Sequence, residues 1–158
     1  MFDAVIATPI GHLGLRCHRE KLIAVQFLES KIVPLPFAAL SSKIKAIVKQ
    51  LGSYFTLPIS LHDLPHTLIG SPFQQTVWQR LCAIPLGETR SYGQLANELC
   101  TSARAIGMAC RLNPLPIVIP CHRVVAANHL GGYCGHTRGD VLSIKQWLLA
   151  HEQVSSYL

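Results

Sequence analysis

The sequence predicts an α+β fold: a small N-terminal lobe built on an antiparallel sheet, then a mostly helical C-terminal domain containing a helix-turn-helix. Three observations predict it. Residues 2–28 hold three short apolar runs of strand character with turn residues in the gaps. The second half carries Ser-x-x-Gln capping signals ahead of helical apolar patterns. Two short helical segments then follow one another across a tight turn.

The three runs are Ala4-Val5-Ile6-Ala7, Gly14-Leu15-Arg16-Cys17 and Leu22-Ile23-Ala24-Val25-Gln26-Phe27, separated by Gly11, His18 and Lys21. Beyond Pro34 and Pro36, Leu40, Ile44, Ile47, Val48 and Leu51 recur at helical spacing among lysines, predicting a basic amphipathic helix over 40–51 that covers the sheet. Gly52, Pro58, Pro65 and Gly70 punctuate a stretch of little periodicity, so residues 52–70 are expected to be a linker with the lobe boundary near 70.

Ser71-Pro72-Phe73-Gln74 combines an N-cap serine, a proline at the first helical position and a glutamine that completes a capping box. Phe73, Val77, Trp78 and Leu81 form the apolar face of that helix, which Pro85 and Gly87 end. Ser91, with Gln94 three residues on, caps residues 92–99; Thr101 or Ser102 caps 103–111. This second helix holds the small residues Ala103, Ala105, Gly107 and Ala109, with Arg104 and Arg111 as its only charges. Such a helix suits close packing against a neighbour and close approach to DNA equally well. Asn113-Pro114-Leu115-Pro116 predicts a rigid turn into Ile117-Val118-Ile119, a short buried strand that delivers Pro120-Cys121-His122-Arg123. After a loop at Gly131-Gly132-Tyr133-Cys134-Gly135, a last helix over 140–151 buries Leu142, Trp147 and Leu148, with Glu152 at its end.

Composition narrows the class. A chain of 158 residues builds one compact domain or two small lobes, and 49% hydrophobic against 14% charged residues marks a folded protein. The net charge of +6 favours polyanionic partners without naming one. Six cysteines without a C-x-x-C pair, and no signal-like apolar segment with a basic leader, point to free thiols in a reducing compartment. The apolar runs fall short of the roughly 20 residues that span a bilayer, so no membrane association is expected. Cys121, His122, Cys134 and His136, or Cys17, His18, His62 and His66, lack the usual C-x₂₋₄-C spacing, and no metal is assigned.

Cys121 is flanked by His122 and Arg123, which supply the ingredients of a lowered thiol pKa. On an extended strand, however, neighbouring side chains point to opposite faces, so His122 serves Cys121 only through a bend or a bridging water. From these residues alone an inert buried cysteine fits equally well.

Pro120-Cys121-His122-Arg123-Val124 resembles the active-site motif of the O6-alkylguanine-DNA alkyltransferases, also called methylated-DNA–protein-cysteine methyltransferases. The flanks resemble that family in the same order: Phe73-Gln74-Gln75-Thr76-Val77-Trp78, Ile84-Pro85 with Gly87-Glu88-Thr89, Ser91-Tyr92 with Gln94-Leu95-Ala96, Arg104-Ala105-Ile106-Gly107, Asn113-Pro114, and Lys145 with Trp147-Leu148-Leu149. The resemblance covers residues 71–152. It implies a ribonuclease-H-like β-sheet scaffold lobe with linker over 1–70, and a helix-turn-helix DNA-binding and alkyl-acceptor domain over 71–158.

The implied activity is direct-reversal DNA repair: irreversible, single-turnover transfer of the alkyl group from O6-alkylguanine to Cys121, with O4-alkylthymine a further candidate substrate. In the implied roles His122 takes the thiol proton through a water, Glu152 orients the imidazole, Asn113 ties the helix-turn-helix to the acceptor segment, and Tyr92 assists the leaving guanine. Arg104 fills the space of a flipped nucleotide from a helix in the minor groove, with Ala103, Arg111, Ser91 and Arg123 as further DNA contacts. Pro116, Val124, Tyr133 and Cys134 form the substrate pocket. The resemblance further implies no cofactor, duplex DNA carrying O6-alkylguanine as partner, a monomer, and a cytoplasmic location in a bacterium or a nuclear one in a eukaryote.

Two departures stand out. The stretch between Tyr133 and Lys145 is several residues longer than the family spacing, and Cys134 puts a second thiol near the pocket, expected to contribute only its backbone. Two other readings share some of these features: a damage sensor that binds alkylated DNA without accepting the group, which would not need Cys121, and a helix-turn-helix regulator. The second helix is poor in the side chains that read base edges in the major groove, which disfavours the regulator.

Overall fold

The structure, a computed structural model, describes residues 1–28, 33, 36–134 and 140–153. Two compact units divide the chain, Met1–Ile69 and Gly70–Leu158.

In the first unit, strands β1 (Ala4–Thr8), β2 (Gly11–His18) and β3 (Lys21–Leu28) form an antiparallel sheet in that order. Ala4 faces Leu15 and Leu13 faces Phe27, so the apolar residues of successive strands fall in register. Arg19 and Glu20 join β2 to β3 with φ of 49° and 63°, the doubly left-handed backbone that suits a two-residue hairpin. Helix α1 (Ser42–Thr56) starts at a Ser41 cap whose side chain accepts from the Ile44 amide, and it packs Ile47, Leu51 and Tyr54 toward β1. It therefore begins after Leu40 and runs through Gly52, longer than periodicity predicts. The expected linker is also corrected. Leu61 and Leu64 are buried, and the 65–67 backbone pairs with Leu22 through Leu22 N–H to Pro65 O (2.9 Å) and Thr67 N–H to Leu22 O (2.9 Å). Prolines and a lost apolar rhythm signalled irregular backbone there, but irregular backbone can still be pinned to a sheet edge.

The second unit opens with α2 (Pro72–Cys82), entered through the predicted capping box of Ser71 and Gln74. Val77, Trp78 and Leu81 are buried, and the Trp78 indole N–H donates to Ala109 O at 2.9 Å. Phe73, expected on the same face, is exposed instead. Strand β4 (Arg90–Ser91) leads into α3 (Tyr92–Glu98), again through a capping box, of Ser91 and Gln94. Residues 99–102 turn through a left-handed Cys100 into α4 (Ala103–Arg111), capped by Ser102. β4 pairs in parallel with β5 (Val124–Val125), which sets Arg90 opposite Val124. Helix α5 (Asp140–His151) buries Lys145, Leu148 and Leu149, while Leu142 and Trp147 are half-buried.

The strand expected at 117–119 is not present. Ile117 has φ of 77°, and Ile119 N–H returns to Leu115 O at 2.8 Å. The Asn113 side chain spans this loop, donating to Ile119 O at 2.8 Å and accepting from Leu115 N–H at 2.9 Å. The apolar run is buried as a side-chain-braced turn in which Ile119 finds partners for both its N–H and its carbonyl, at Leu115 O and from the Asn113 side chain and Cys121 N–H, without a sheet neighbour. Among the described residues no helix is long and apolar enough to cross a membrane.

Candidate active site

Cys121, His122 and Arg123 form one 3₁₀ turn, fully or almost fully buried, placed by the Asn113-braced loop before it and β5 after it. The turn answers the adjacency problem of an extended strand, because neighbouring side chains are splayed around an axis rather than sent to opposite faces. Lys145 and Glu152 are seven positions apart, so α5 and the turn that follows it bring Lys145, Leu148, Leu149 and Glu152 to one side, four buried side chains of which two bring charge into the interior.

The Glu152 carboxylate is the hub. His122 Nε2 lies 2.8 Å from Glu152 Oε1, and Arg123 donates Nε to Oε2 and Nη2 to Oε1, both at 2.9 Å. The third guanidinium nitrogen, Nη1, donates to Ile84 O at 2.8 Å. Burial pushes the Glu152 carboxyl up, but the hydrogen bonds from His122 and Arg123 and the Arg123 charge outweigh it and hold the group well below the usual carboxylate range. Arg123 was expected to contact DNA. The structure corrects this: its guanidinium is buried and committed to Glu152 and Ile84, as a buried carboxylate demands a paired cation.

An ionised carboxylate only accepts, so His122 Nε2 carries the proton and Nδ1 holds the lone pair. Nδ1 is buried with no hydrogen-bond partner among the described residues. Burial drives the imidazole below its ordinary value, against the opposing pull of Glu152, which keeps the ring neutral and Nδ1 able to take a proton.

The Cys121 thiol is 4% exposed. Burial raises it, while the Asn113 amide, the Lys145 charge and a backbone N–H of its own turn draw it back toward the thiolate. Lys145 donates from Nζ to Val124 O at 2.6 Å and Gly132 O at 2.8 Å, stitching the acceptor segment to the 131–134 loop. No carboxylate pairs with it among the described residues. Burial lowers it to about 8, against the thiols of Cys121, Cys110 and Cys134, whose negative forms would hold its proton on. The family resemblance includes Lys145 without implying a task for it. Its spacing from Leu148, Leu149 and Glu152 placed it on the buried face, and that was the available signal.

Residues 72–154 match the family described as 6-O-methylguanine DNA methyltransferase, DNA binding domain, over more than half of the chain. The chain belongs to that family. The methylated-DNA–protein-cysteine methyltransferase of Methanosarcina acetivorans is 36% identical over 157 residues, covering 96% of this chain and 98% of the relative. That of Mycobacterium tuberculosis is 39% identical over 135 residues, 82% of each chain. Among solved structures, Mycobacterium tuberculosis OGT in complex with DNA superposes with a TM-score of 0.76 at 37% identity, covering 94% of this chain and 91% of that one.

In this methyltransferase chain three of the remaining expected residues, Ser91, Tyr92 and Ala103, line a groove of about 500 Å³ together with Gly93, Gly107, Ala126 and Ala127. Burial, and then the nearby thiols of Cys110 and Cys121, push the Tyr92 hydroxyl up, which keeps it protonated and able to donate. Gly131 has φ of 78°, and a Cβ there would sit 3.1 Å from the Tyr92 ring and 3.2 Å from the Ala126 nitrogen, so glycine is what allows this approach. Ser91 lies at the rim, its hydroxyl accepting from the Gln94 amide as the α3 cap. Ala103, Arg104 and Arg111 are exposed on α4. Pro116, Val124 and Tyr133 are buried, and Cys134 is half-buried with φ of 48° and its thiol raised to about 12, first by burial and then by Cys121. The Val124 carbonyl is the one held by Lys145. Among the described residues no cluster of His, Cys, Asp and Glu is arranged to hold a metal; His136, with the rest of residues 135–139 in the lengthened stretch before Lys145, lies outside them.

Proposed function

We propose that this chain repairs DNA by direct reversal, moving the alkyl group of O6-alkylguanine irreversibly onto Cys121. The observation that carries the reading is the buried relay in which Glu152 fixes the His122 tautomer and leaves Nδ1 as base within the turn that holds Cys121. The Cys121 proton passes to His122 Nδ1 through a water. The thiolate attacks the alkyl carbon, the S–C bond forms as the C–O6 bond breaks, and the electron pair returns to guanine, which takes a proton by way of Tyr92. Asn113 and Lys145 face the negative charge as it forms on sulfur. The thioether is stable, so each molecule acts once and needs no cofactor.

Residues 71–158 act as the DNA-binding and alkyl-acceptor domain and 1–70 as its scaffold lobe. The partner is duplex DNA approached through the minor groove by α4, with Arg104 filling the space of a nucleotide flipped toward Tyr92. Pro116, Val124, Tyr133 and Cys134 shape the pocket, and O4-alkylthymine is a second candidate substrate. The protein works as a monomer where the DNA is, in the cytoplasm of a bacterium or the nucleus of a eukaryote.

The direct test is to incubate the protein with a duplex containing O6-methylguanine, digest it and weigh the Cys121 peptide. One methyl gained, and none in Cys121→Ser, is the expected result. Tight binding with no gain overturns alkyl transfer in favour of a damage sensor.

A further inference from the structure

The exposed face of α4 holds more than its arginines. Met108 and Leu112, the latter the C-cap of the helix, are 49% and 51% exposed, although large apolar side chains bury well when a core is within reach. They lie four residues apart, on the same side of the helix as Arg104 and Arg111, because residues 104, 108, 111 and 112 follow helical spacing. Ala103 and Gly107 occupy the opposite flank, at the Tyr92 groove. The face thus has a groove side of small residues, a central pair of cations and an apolar shoulder. A single exposed leucine needs no explanation, but an apolar pair set against two cations on a helix without any acidic residue is a pattern that selects its occupant.

We infer that Met108 and Leu112 form an apolar contact with the deoxyribose edge of the DNA strand beside the one gripped through the Tyr92 groove. The inference rests on the reading of α4 as the duplex-facing helix. Charge selects a polyanion for this face, and the only apolar surface a DNA backbone presents between its phosphates is the sugar. Two flexible side chains flanking Arg104 and Arg111 bury that surface when the arginines seat on phosphate. The contact carries no charge and reads no base edge, so it adds affinity for any duplex and releases no counterions.

The test uses the full chain with Met108→Ser and Leu112→Ser combined; both positions are exposed, so the fold is expected to hold. Affinity for an unmodified duplex should fall about tenfold, while the slope of log affinity against log salt stays unchanged. Reaction with free O6-alkylguanine base should stay within about twofold of wild type. The pair Met108→Leu and Leu112→Met, which keeps the apolar surface, should restore duplex affinity. Unchanged affinity in the serine variant overturns the inference, as does a flattened salt slope, which would mean that phosphate contacts had moved. A dimer of the wild type in the absence of DNA, lost in the serine variant, would assign the shoulder to a second copy of the chain. If the wild type itself fails to methylate Cys121 on duplex substrate, the proposed function falls, and this inference is separately decided by the binding measurements.

Discussion

Glu152 concentrates the residue-scale physics of this chain, because one buried carboxylate neutralises Arg123 and orients His122 at once. Glu152→Gln keeps the shape but leaves a buried guanidinium without its counter-charge, a change that costs about 3–5 kcal/mol of stability at neutral pH. The pH dependence has a definite sign. The folded carboxyl lies below its unfolded value of 4.5, so the stabilisation is complete above that value and is lost as pH falls through it toward the folded one. His122, lowered by burial from 6.5, also loses stability toward acid, and its loss starts higher, as pH falls through 6.5 toward the folded value. Urea unfolding between pH 3 and 7 should therefore show both proteins losing stability below about pH 6.5, with wild type falling more steeply than Glu152→Gln below pH 4.5, where the carboxyl adds its own loss. Equal slopes below pH 4.5 would show that the carboxylate is not the group holding the pair.

At the scale of elements, α4 and the Asn113-braced loop do different work, and single substitutions separate them. Flipping a base costs a few kcal/mol of unstacking, and an arginine in the vacated space offsets part of it. Arg104→Ala should slow repair of duplex O6-methylguanine while barely changing reaction with the free alkylated base, measured as loss of free Cys121 thiol; equal loss on both substrates would remove this role from Arg104. The elements also show what sequence can and cannot carry. Capping boxes at Ser71 and Ser91 were legible because a cap is a local hydrogen-bond exchange between residues three apart. The buried loop at 117–119 was not, because apolar runs look alike whether a sheet or one asparagine side chain satisfies their backbone. The pairing of Arg123 with Glu152 joins residues 29 apart, which no local pattern reports, and so an interior arginine was read as a surface one.

For the whole molecule, the +6 net charge and the family match point the same way, but charge spread over a chain is not an interface. The second unit contributes Arg104 and Arg111 to one exposed face, while Arg123 and Lys145, equally cationic in the sequence, are committed to Glu152, Ile84, Val124 and Gly132 inside it. Only exposed cations release counterions from DNA, each phosphate contact adding about 0.9 to the slope of log affinity against log salt. Arg111→Ala should therefore reduce that slope by about 1 and weaken binding to every duplex sequence alike, with the Cys121 reaction toward free base unaffected. Titrating a fluorescent duplex at four salt concentrations gives both numbers at once. A slope that does not change would place Arg111 off the phosphate backbone and leave Arg104 as the one cation of α4 on the DNA.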